Sequence, residues 1–255
     1  MRLVSLTCSN TEIVAALGAG HQLVGIDDHS DFPEALCAEL PRLGPDLSID
    51  VEAVRRLEPD LVLASLTVPG HERVVEAIDA AGLRWIAPDP RSFDDVLGDV
   101  RTIGGLIGRE READALVARM EADTPAVEVD GPRPAVLVEW WPKPVIAPGR
   151  RSWVTDLLWR AGGRNPLGDR PVHSTPLTDE EVVALAPDAV VVSWCGVPTH
   201  RYRLDVVTRR AAWATVPAIR HGRVHPIAEA FLGRPGPRLV DGYRSLRAVV
   251  VGAAR

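Results

Sequence analysis

Two segments of this chain carry almost the same residue pattern, and this repetition constrains the fold more than any other feature. Residues 57–64 read Leu-Glu-Pro-Asp-Leu-Val-Leu-Ala, and residues 185–192 read Leu-Ala-Pro-Asp-Ala-Val-Val-Val. Each segment has the form of a helix end, a Pro-Asp turn and a short apolar run typical of a buried parallel strand. We therefore predict two similar α/β lobes, each with its own sheet.

Strand-like runs alternate with helical patterns along the rest of the chain, as expected of an α/β fold. We predict strands at residues 2–6, 23–26, 61–64, 85–87, 135–139, 189–193 and 225–227. The pairs Ser9 with Glu12 and Thr178 with Glu181 each have the spacing of a capping box, and Asp50 or Ser48 is expected to cap a third helix. These signals place helix starts between the strands.

A helical stretch separates the two halves of the chain. Apolar residues recur at helical spacing over residues 92–107, the pattern continues from Arg109 to about Ala122, and a Pro-rich loop follows. We predict an N-terminal lobe of residues 1–91, a long helical connector of residues 92–124 and a C-terminal lobe of residues 125–255. The ligand cleft is expected between the lobes.

Composition and charge exclude several classes of protein. With 46% hydrophobic and 25% charged residues the chain has a typical globular composition. A net charge of -6 argues against nucleic acid or an anionic membrane surface as a partner. No apolar run approaches the ~20 residues of a bilayer span, so we predict no membrane insertion. The first residues lack the pattern of a signal peptide. We expect a periplasmic or cell-surface protein if a signal was removed, and a cytoplasmic protein otherwise.

No local motif indicates catalysis or metal binding. The three cysteines Cys8, Cys37 and Cys195 have no CxxC spacing, and no HxxxH or HExxH pattern occurs among the seven histidines. The glycines of residues 104–108 lack the order of a dinucleotide loop, and the GxSxG motif of many hydrolases is missing. We therefore predict a non-enzymatic protein with no catalytic residue, no metal site and no cofactor.

Tryptophan residues follow the predicted strands of the second half. Ligands of open α/β sheets bind beyond the carboxyl ends of the strands. Trp140 and Trp141 follow the strand at 135–139, and Trp194 follows the strand at 189–193. An indole offers a rigid apolar plate with one N–H donor, so we predict that these three contact a large flat ligand. The packing residues among the other tryptophans are expected to be Trp153, Trp159 and Trp213.

The chain closely resembles the substrate-binding proteins of iron-siderophore, haem and cobalamin importers, and within them the cobalamin-binding branch. The resemblance runs nearly end to end and rests on residues 5–12, 29–33, 57–63, 149–165 and 234–238. It implies a class III periplasmic-binding-protein-like fold of two α/β lobes bridged by a long helix. It also implies that a corrinoid is bound, mainly through apolar and aromatic contacts, for delivery to an ABC importer.

The resemblance also implies particular site residues. Phe32 and Trp140 match aromatic cleft positions of the family, whereas Ser65 and Ala87 stand where cobalamin binders can carry tryptophan. The expected ligand-binding residues are Cys8, Phe32, Ser65, Leu66, Trp140, Trp141, Trp194, Glu229 and Phe231. In the family, one glutamate on each lobe meets arginines of the permease dimer. Glu72 matches the first of these glutamates, and Gly233 stands at the second position.

Other ligands and roles fit the same sequence. Haem would use an axial ligand, for which His29, His173 and Tyr202 are the candidates. A ferric siderophore is acidic and would be met by Arg150, Arg151 and Arg234. An intracellular corrinoid carrier or sensor, or an enzyme that uses the cleft, are further alternatives.

Overall fold

The computed structural model describes residues 1–253, which form two compact units. Unit 1 comprises Met1–Pro90 and Val96–Arg119, and unit 2 comprises Arg91–Asp95 and the chain from Met120 onward. The segment 92–124, predicted as a connector, is therefore shared between the two units. None of the helices in the described chain is long and apolar enough to cross a membrane.

Unit 1 contains one parallel sheet. Its strands are β1 (Leu3–Ser5), β2 (Leu23–Ile26), β3 (Leu61–Leu63) and β4 (Trp85–Ile86), in the order β2-β1-β3-β4. The accompanying helices are α1 (Cys8–Ala16), α2 (Glu34–Ala38), α3 (Val51–Arg56), α4 (His71–Ala80), α5 (Phe93–Leu106) and α6 (Glu110–Asp123), of which α5 begins in unit 2 and α6 ends there. All four strands lie where the apolar runs predict them, and the central ones are fully buried.

Unit 2 contains a parallel sheet and an antiparallel one. The strands are β5 (Val136–Glu139), β6 (Trp141–Pro142), β7 (Val145–Pro148), β8 (Ser174–Leu177), β9 (Ala189–Val192) and β10 (Val224–Pro226). The order β10-β9-β5 is parallel and β6-β7-β8 is antiparallel. The helices are α7 (Trp153–Arg160), α8 (Asp179–Leu185), α9 (Leu204–Thr208), α10 (Pro217–Arg220), α11 (Glu229–Leu232) and α12 (Leu239–Ala253).

The antiparallel sheet was not among the predicted elements. Pro142 would indicate a loop after Trp140, but Trp141 and Pro142 pair with Ile146 and Val145 as a short hairpin. Proline is uncommon in strands because it lacks an N–H donor. Each of the three antiparallel strands nevertheless contains one proline.

The repeated Pro-Asp turn forms the same set of bonds in both units. Asp60 Oδ2 accepts the backbone N–H of Arg2 at 2.6 Å, and Asp188 Oδ2 accepts the backbone N–H of Ala135 at 2.8 Å. In return, the backbone N–H groups of Asp60 and Asp188 donate to the carbonyls of Arg2 and Ala135, both at 2.8 Å. Each turn thus fastens the start of one parallel strand to the start of its neighbour, as the repetition predicts.

Two predicted helix caps are confirmed. Thr178 and Glu181 form the complete capping box at the start of α8. Asp50 caps α3 by accepting the N–H of Ala53 at 2.8 Å. Both caps satisfy donors that the first helical turn leaves without intrahelical partners.

The capping box predicted for Ser9 and Glu12 is wrong. Helix α1 begins at Cys8 with Thr7 as its N-cap, and the Thr7 side chain makes no capping bond. Ser9 and Glu12 lie inside the helix and are buried. Helix α1 thus begins three residues after the end of β1 and has no polar side-chain cap.

The tryptophans predicted to pack divide into two groups. Trp153 and Trp213 are buried, as predicted. Trp159 is 54% exposed, so its assignment as a packing residue is wrong. The guanidinium of Arg133 lies 4.8 Å from its ring centroid and covers one side of the indole.

Candidate functional site

The carboxyl ends of the parallel strands define one face on each unit. Face 1 consists of residues 6–8, 27–33, 64–67 and 87–89, which follow β1, β2, β3 and β4. Face 2 consists of residues 140–141, 193–195 and 227–231, which follow β5, β9 and β10. All nine residues predicted to bind ligand lie on these two faces, because parallel strands end at a common edge.

Face 1 presents one exposed aromatic side chain. Phe32 is 45% exposed, whereas Cys8 and Leu66 are half-buried and Ser65 is buried. The Ser65 hydroxyl lies 2.9 Å from Thr67 Oγ1 and also accepts the Thr67 backbone N–H. Its hydrogen bonds therefore serve its own turn, and Phe32 supplies the main apolar surface of this face.

The turn that leads to Phe32 is held from two sides. Asp27 Oδ2 accepts the backbone N–H of His29 at 2.9 Å, and Asp27 Oδ1 lies 2.5 Å from the Ser30 hydroxyl. Burial raises the pKa of Asp27, and its bonds to Ser30 and His29 oppose that rise. Arg42 donates to the carbonyls of Asp27 and Ser30 at 2.9 and 2.6 Å. No sequence pattern indicated this role of Arg42.

A carboxylate lies next to two histidines beside this turn. Asp46 Oδ2 is 3.3 Å from His71 Nε2, and Asp46 Oδ1 is 3.7 Å from His29 Nε2. The hydrogen bond with His71 is the main reason that the pKa of Asp46 is lowered. His71 is buried at the first position of α4, so this contact fastens the start of α4 to the segment before α3.

The two predicted docking positions differ in chemistry. Glu72 is exposed, its Oε2 accepts the N–H of Gly70 at 2.8 Å, and backbone N–H groups lower its pKa. Gly233 offers no side chain, and its backbone N–H donates to the carbonyl of Glu229. The structure thus keeps a carboxylate at the first position and none at the second.

Face 2 carries two adjacent tryptophans that differ in exposure. Trp141 is 42% exposed. Trp140 is half-buried, its ring centroid is 6.3 Å from that of Trp153, and its Nε1 is buried without a hydrogen-bond partner. Trp141 therefore supplies the exposed indole of this face, whereas Trp140 packs against Trp153.

Trp194 is not an exposed plate, contrary to expectation. It is 6% exposed and packs with Tyr202 at a centroid distance of 5.6 Å. Its Nε1–H donates to Glu139 Oε1 at 2.9 Å. The indole turns inward because a buried carboxylate offers its N–H a strong acceptor. A ligand contact by Trp194 therefore stays a prediction.

That carboxylate belongs to a buried ion pair that sequence reasoning missed. Glu139 is 0% exposed, and Arg210 donates to both of its oxygens, at 2.6 and 3.0 Å. Arg210 also donates to the carbonyl of Pro142 at 3.2 Å. The pair therefore fixes the backbone on both sides of Trp140 and Trp141. Glu139 and Arg210 are 71 residues apart, so no local pattern could have revealed them.

The segment after β10 is also paired with its surroundings. Glu229 Oε2 lies 3.2 Å from Arg234 Nε, and both side chains are largely buried. Tyr202 accepts the backbone N–H of Glu229 and donates to the carbonyl of Trp194. Burial raises the pKa of Tyr202 to about 12, so it keeps its proton. Phe231 is half-buried in this segment.

Within residues 1–253, no three or more His, Cys, Asp or Glu side chains are grouped so as to hold a metal ion. Cys8 is half-buried, Cys37 is buried and Cys195 is exposed, and all three are free thiols.

Comparisons with known proteins agree with this geometry. The family described as periplasmic binding protein matches residues 3–229. YvrC of Bacillus subtilis, an uncharacterized ABC transporter substrate-binding lipoprotein, is 30% identical over 254 residues, covering 96% of this chain and 78% of its own. The vitamin B12-binding protein of Vibrio cholerae is 24% identical over 253 residues, covering 96% and 87%. The periplasmic haem-binding protein RhuT of Roseiflexus sp. RS-1 superposes with a TM-score of 0.83 at 28% identity, covering 100% and 99%.

Proposed function

We propose that this chain, which belongs to the periplasmic binding protein family, is the substrate-binding component of an ABC importer and that its ligand is a corrinoid. The family consists of solute-binding proteins. The Bacillus subtilis relative supports the link to an ABC transporter, and the Vibrio cholerae relative supports vitamin B12 as the ligand class. We further propose a location outside the cytoplasmic membrane, since the first relative is a lipoprotein.

The exposed aromatic side chains at the strand ends are the observation that carries this proposal. Phe32 on face 1 and Trp141 on face 2 each offer a rigid apolar surface where sheet proteins bind ligands. A corrin ring is large, flat and apolar over its faces. Covering roughly 100 Å² of one aromatic side chain contributes about 2.5 kcal/mol, of which association consumes part.

The pairing of polar side chains on face 2 favours a corrinoid over the other ligands. Arg234 already pairs with the carboxylate of Glu229. It is therefore less available to bind an acidic siderophore. Coordination of haem iron by the Tyr202 phenolate would remove the proton that Tyr202 donates to the carbonyl of Trp194.

Haem is nevertheless the second candidate, because RhuT is 28% identical and covers the whole chain. A ferric siderophore would be bound by Arg150 and Arg151, which are exposed and lie just before α7. We also propose that Glu72 contacts basic residues of the permease dimer, because it is an exposed carboxylate.

A calorimetric titration with cyanocobalamin, haemin and a ferric hydroxamate siderophore tests the ligand. We expect one-to-one binding of cyanocobalamin. Trp141→Ala should weaken it at least tenfold, which corresponds to about 1.4 kcal/mol. Trp159→Ala is the matched control, because Trp159 is also exposed but lies outside face 2, and its dissociation constant should stay within twofold of wild type.

Two results would contradict the proposal. Binding of haemin alone, with a shift of its absorbance band that reports axial coordination, would assign the haem alternative instead. Equal weakening of cyanocobalamin binding by Trp141→Ala and Trp159→Ala would show that face 2 is not where the ligand binds.

A further inference from the structure

A short segment of unit 1, residues 43–47, runs along the edge of β2 on its way from α2 to α3. The Leu43 N–H donates to the carbonyl of Ile26 at 3.0 Å, and the Asp28 N–H donates to the carbonyl of Gly44 at 2.9 Å. The Gly44 N–H in turn donates to Asp28 Oδ1 at 3.2 Å. The backbone of this segment is thus attached to β2 and to the start of the turn that follows it.

Asp46, near the end of this segment, contacts two further parts of unit 1. Its Oδ2 lies 3.3 Å from Nε2 of His71, the first residue of α4, and its Oδ1 lies 3.7 Å from Nε2 of His29 in the turn after β2. The His71 side chain is 4% exposed, that of Asp46 is 28% exposed and that of His29 is 55% exposed. One carboxylate therefore lies between the turn that presents Phe32 and the helix that carries Glu72.

The surroundings of the His71 ring indicate which nitrogen carries its proton. The backbone N–H of Val68 points at His71 Nδ1 from 3.4 Å, so a proton on Nδ1 would face another hydrogen atom. The proton therefore belongs on Nε2, from where it is donated to Asp46. This bond is also the main reason that the pKa of Asp46 is lowered. The ring thus joins the loop before α4 to an ionised Asp46.

Glu72, the proposed docking residue, is part of the same first turn of α4. Gly70 is the N-cap of this helix and has no side chain with which to cap it. Glu72 Oε2 accepts the Gly70 N–H instead, at 2.8 Å. Leu47, which follows Asp46, lies against Gly70. The position of the Glu72 carboxylate therefore depends on the backbone of residues 68–72, which His71 attaches to Asp46.

We propose that Asp46 is a positioning residue that couples the turn presenting Phe32 to the docking residue Glu72. A ligand that orders the turn also orders the start of α4, because the two oxygens of one carboxylate contact both. Such coupling is reciprocal, so contacts made by Glu72 favour the ordered turn in return. The inference rests on the proposed function, because it takes Phe32 as a ligand contact and Glu72 as a docking contact.

Hydrogen exchange followed by NMR tests the contacts of Asp46 without any ligand. Asp46→Ala should speed amide exchange in residues 68–72 by about tenfold, since a bond to a charged group is lost. In residues 28–30 the increase should be about twofold, because that contact is longer and exposed. Asp46→Asn keeps an acceptor for His71 and should restore exchange to nearly the wild-type rate.

Asp50→Ala is the matched control, because it removes a carboxylate from the same connection. Asp50 caps α3, so exchange should become faster in α3 and stay unchanged in residues 68–72. Unchanged exchange of residues 68–72 in Asp46→Ala would overturn the proposal. The same would follow if the nitrogen-15 spectrum of wild type placed the His71 proton on Nδ1. We expect the proton on Nε2, with a signal that Asp46→Ala loses to exchange with solvent.

Saturation with cyanocobalamin tests the coupling. In wild type, the ligand should slow exchange of residues 68–72 several-fold. His29→Ala removes only the contact with the turn, so it should leave the exchange of residues 68–72 in the free protein unchanged and abolish the slowing by ligand. Asp46→Ala should abolish the slowing as well. Slowing that persists in both variants would show that the ligand acts on α4 through residues 64–67, and would overturn the coupling.

Failure of the ligand assignment gives a different result. No variant would then bind cyanocobalamin, while the ligand-free exchange rates and the His71 spectrum would still follow the pattern expected for Asp46. The contacts of Asp46 with the turn and with α4 would stand, and the corrinoid would be excluded as the ligand.

Discussion

The two units share a strand-and-turn scaffold but differ in the side chains they place on it. Unit 1 has 10 basic and 19 acidic residues, and unit 2 has 19 basic and 16 acidic ones. Ten of the twelve aromatic residues, including six of the seven tryptophans, belong to unit 2. Because the Pro-Asp turn is the same in both, these differences are not needed to build the sheets.

The polar side chains show the same contrast. Face 1 is held by a chain of buried hydroxyl groups that leads to the carboxylate of Asp27, and its one aromatic residue is Phe32. Face 2 is held by the ion pair of Glu139 with Arg210, and the adjacent tryptophans follow it directly. A hydroxyl chain is made of neutral bonds, whereas a buried bidentate ion pair is rigid and costly to break.

The largest expected effect is therefore in unit 2. Arg210→Met leaves the buried Glu139 carboxylate without its cation, and we expect the free energy of unfolding to fall by about 3–5 kcal/mol. Denaturant unfolding followed by tryptophan emission measures it, since emission reports mainly on unit 2. The control is Arg203→Met, whose pair with Asp205 is exposed and screened by water, so the free energy of unfolding should stay close to that of wild type.

The Arg210→Met variant also tests whether the two units respond differently. Hydrogen exchange should show lost protection in β5 and β9, and unchanged protection in β1 and β3. Adding Glu139→Gln to Arg210→Met should recover a large part of the loss, because no buried charge then remains. An equal loss of unfolding free energy in Arg203→Met would show that the buried pair of Glu139 with Arg210 stabilises the protein no more than the exposed pair does.

The shared Pro-Asp turn gives a smaller effect that should appear in both units. Asp188→Ala removes a half-buried acceptor of the Ala135 N–H, and we expect a loss of about 1–2 kcal/mol. Asp60→Ala should cost about 0.5–1 kcal/mol, because its bond to Arg2 is exposed to water. Thermal or denaturant unfolding measures both, and the asparagine variants, which keep an acceptor oxygen, are the controls. If only one of the two alanine variants lost stability, the two turns would not be equivalent.

Local patterns predicted most of the fold. The apolar runs mark the strands of both parallel sheets, and the repeated turn gives the same bonds twice because Pro-Asp geometry is local. The antiparallel sheet was missed, since its short paired segments contain prolines that normally indicate loops. Its pairing depends on neighbouring strands rather than on its own residues.

The candidate site was predictable only where a side chain's environment is local. Phe32 and Trp141 are exposed at strand ends, which the order of strands alone indicates. Trp194 has the same sequence context but turns inward, because Glu139 and Tyr202, both distant in sequence, surround it. The buried hydroxyl chain that leads to Asp27 likewise includes Ser5 and Thr11 from another strand and helix, so no motif marks it.

The smallest expected effect concerns the residue before each proline in the repeated turn. Glu58 and Ala186 have φ angles of 46° and 43°, a left-handed conformation that disfavours residues with a Cβ atom. Ala186→Gly and Glu58→Gly should each relieve this strain, while the greater freedom of glycine in the unfolded chain offsets part of the gain. We expect a net increase in stability of about 0.5 kcal/mol at each position. Ala184→Gly, inside α8, is the control and should cost about 0.5–1 kcal/mol instead. If glycine destabilises both turns as it does the helix, the strain is absent. If it stabilises only one, the two turns are alike in their bonds but not in their backbone energetics.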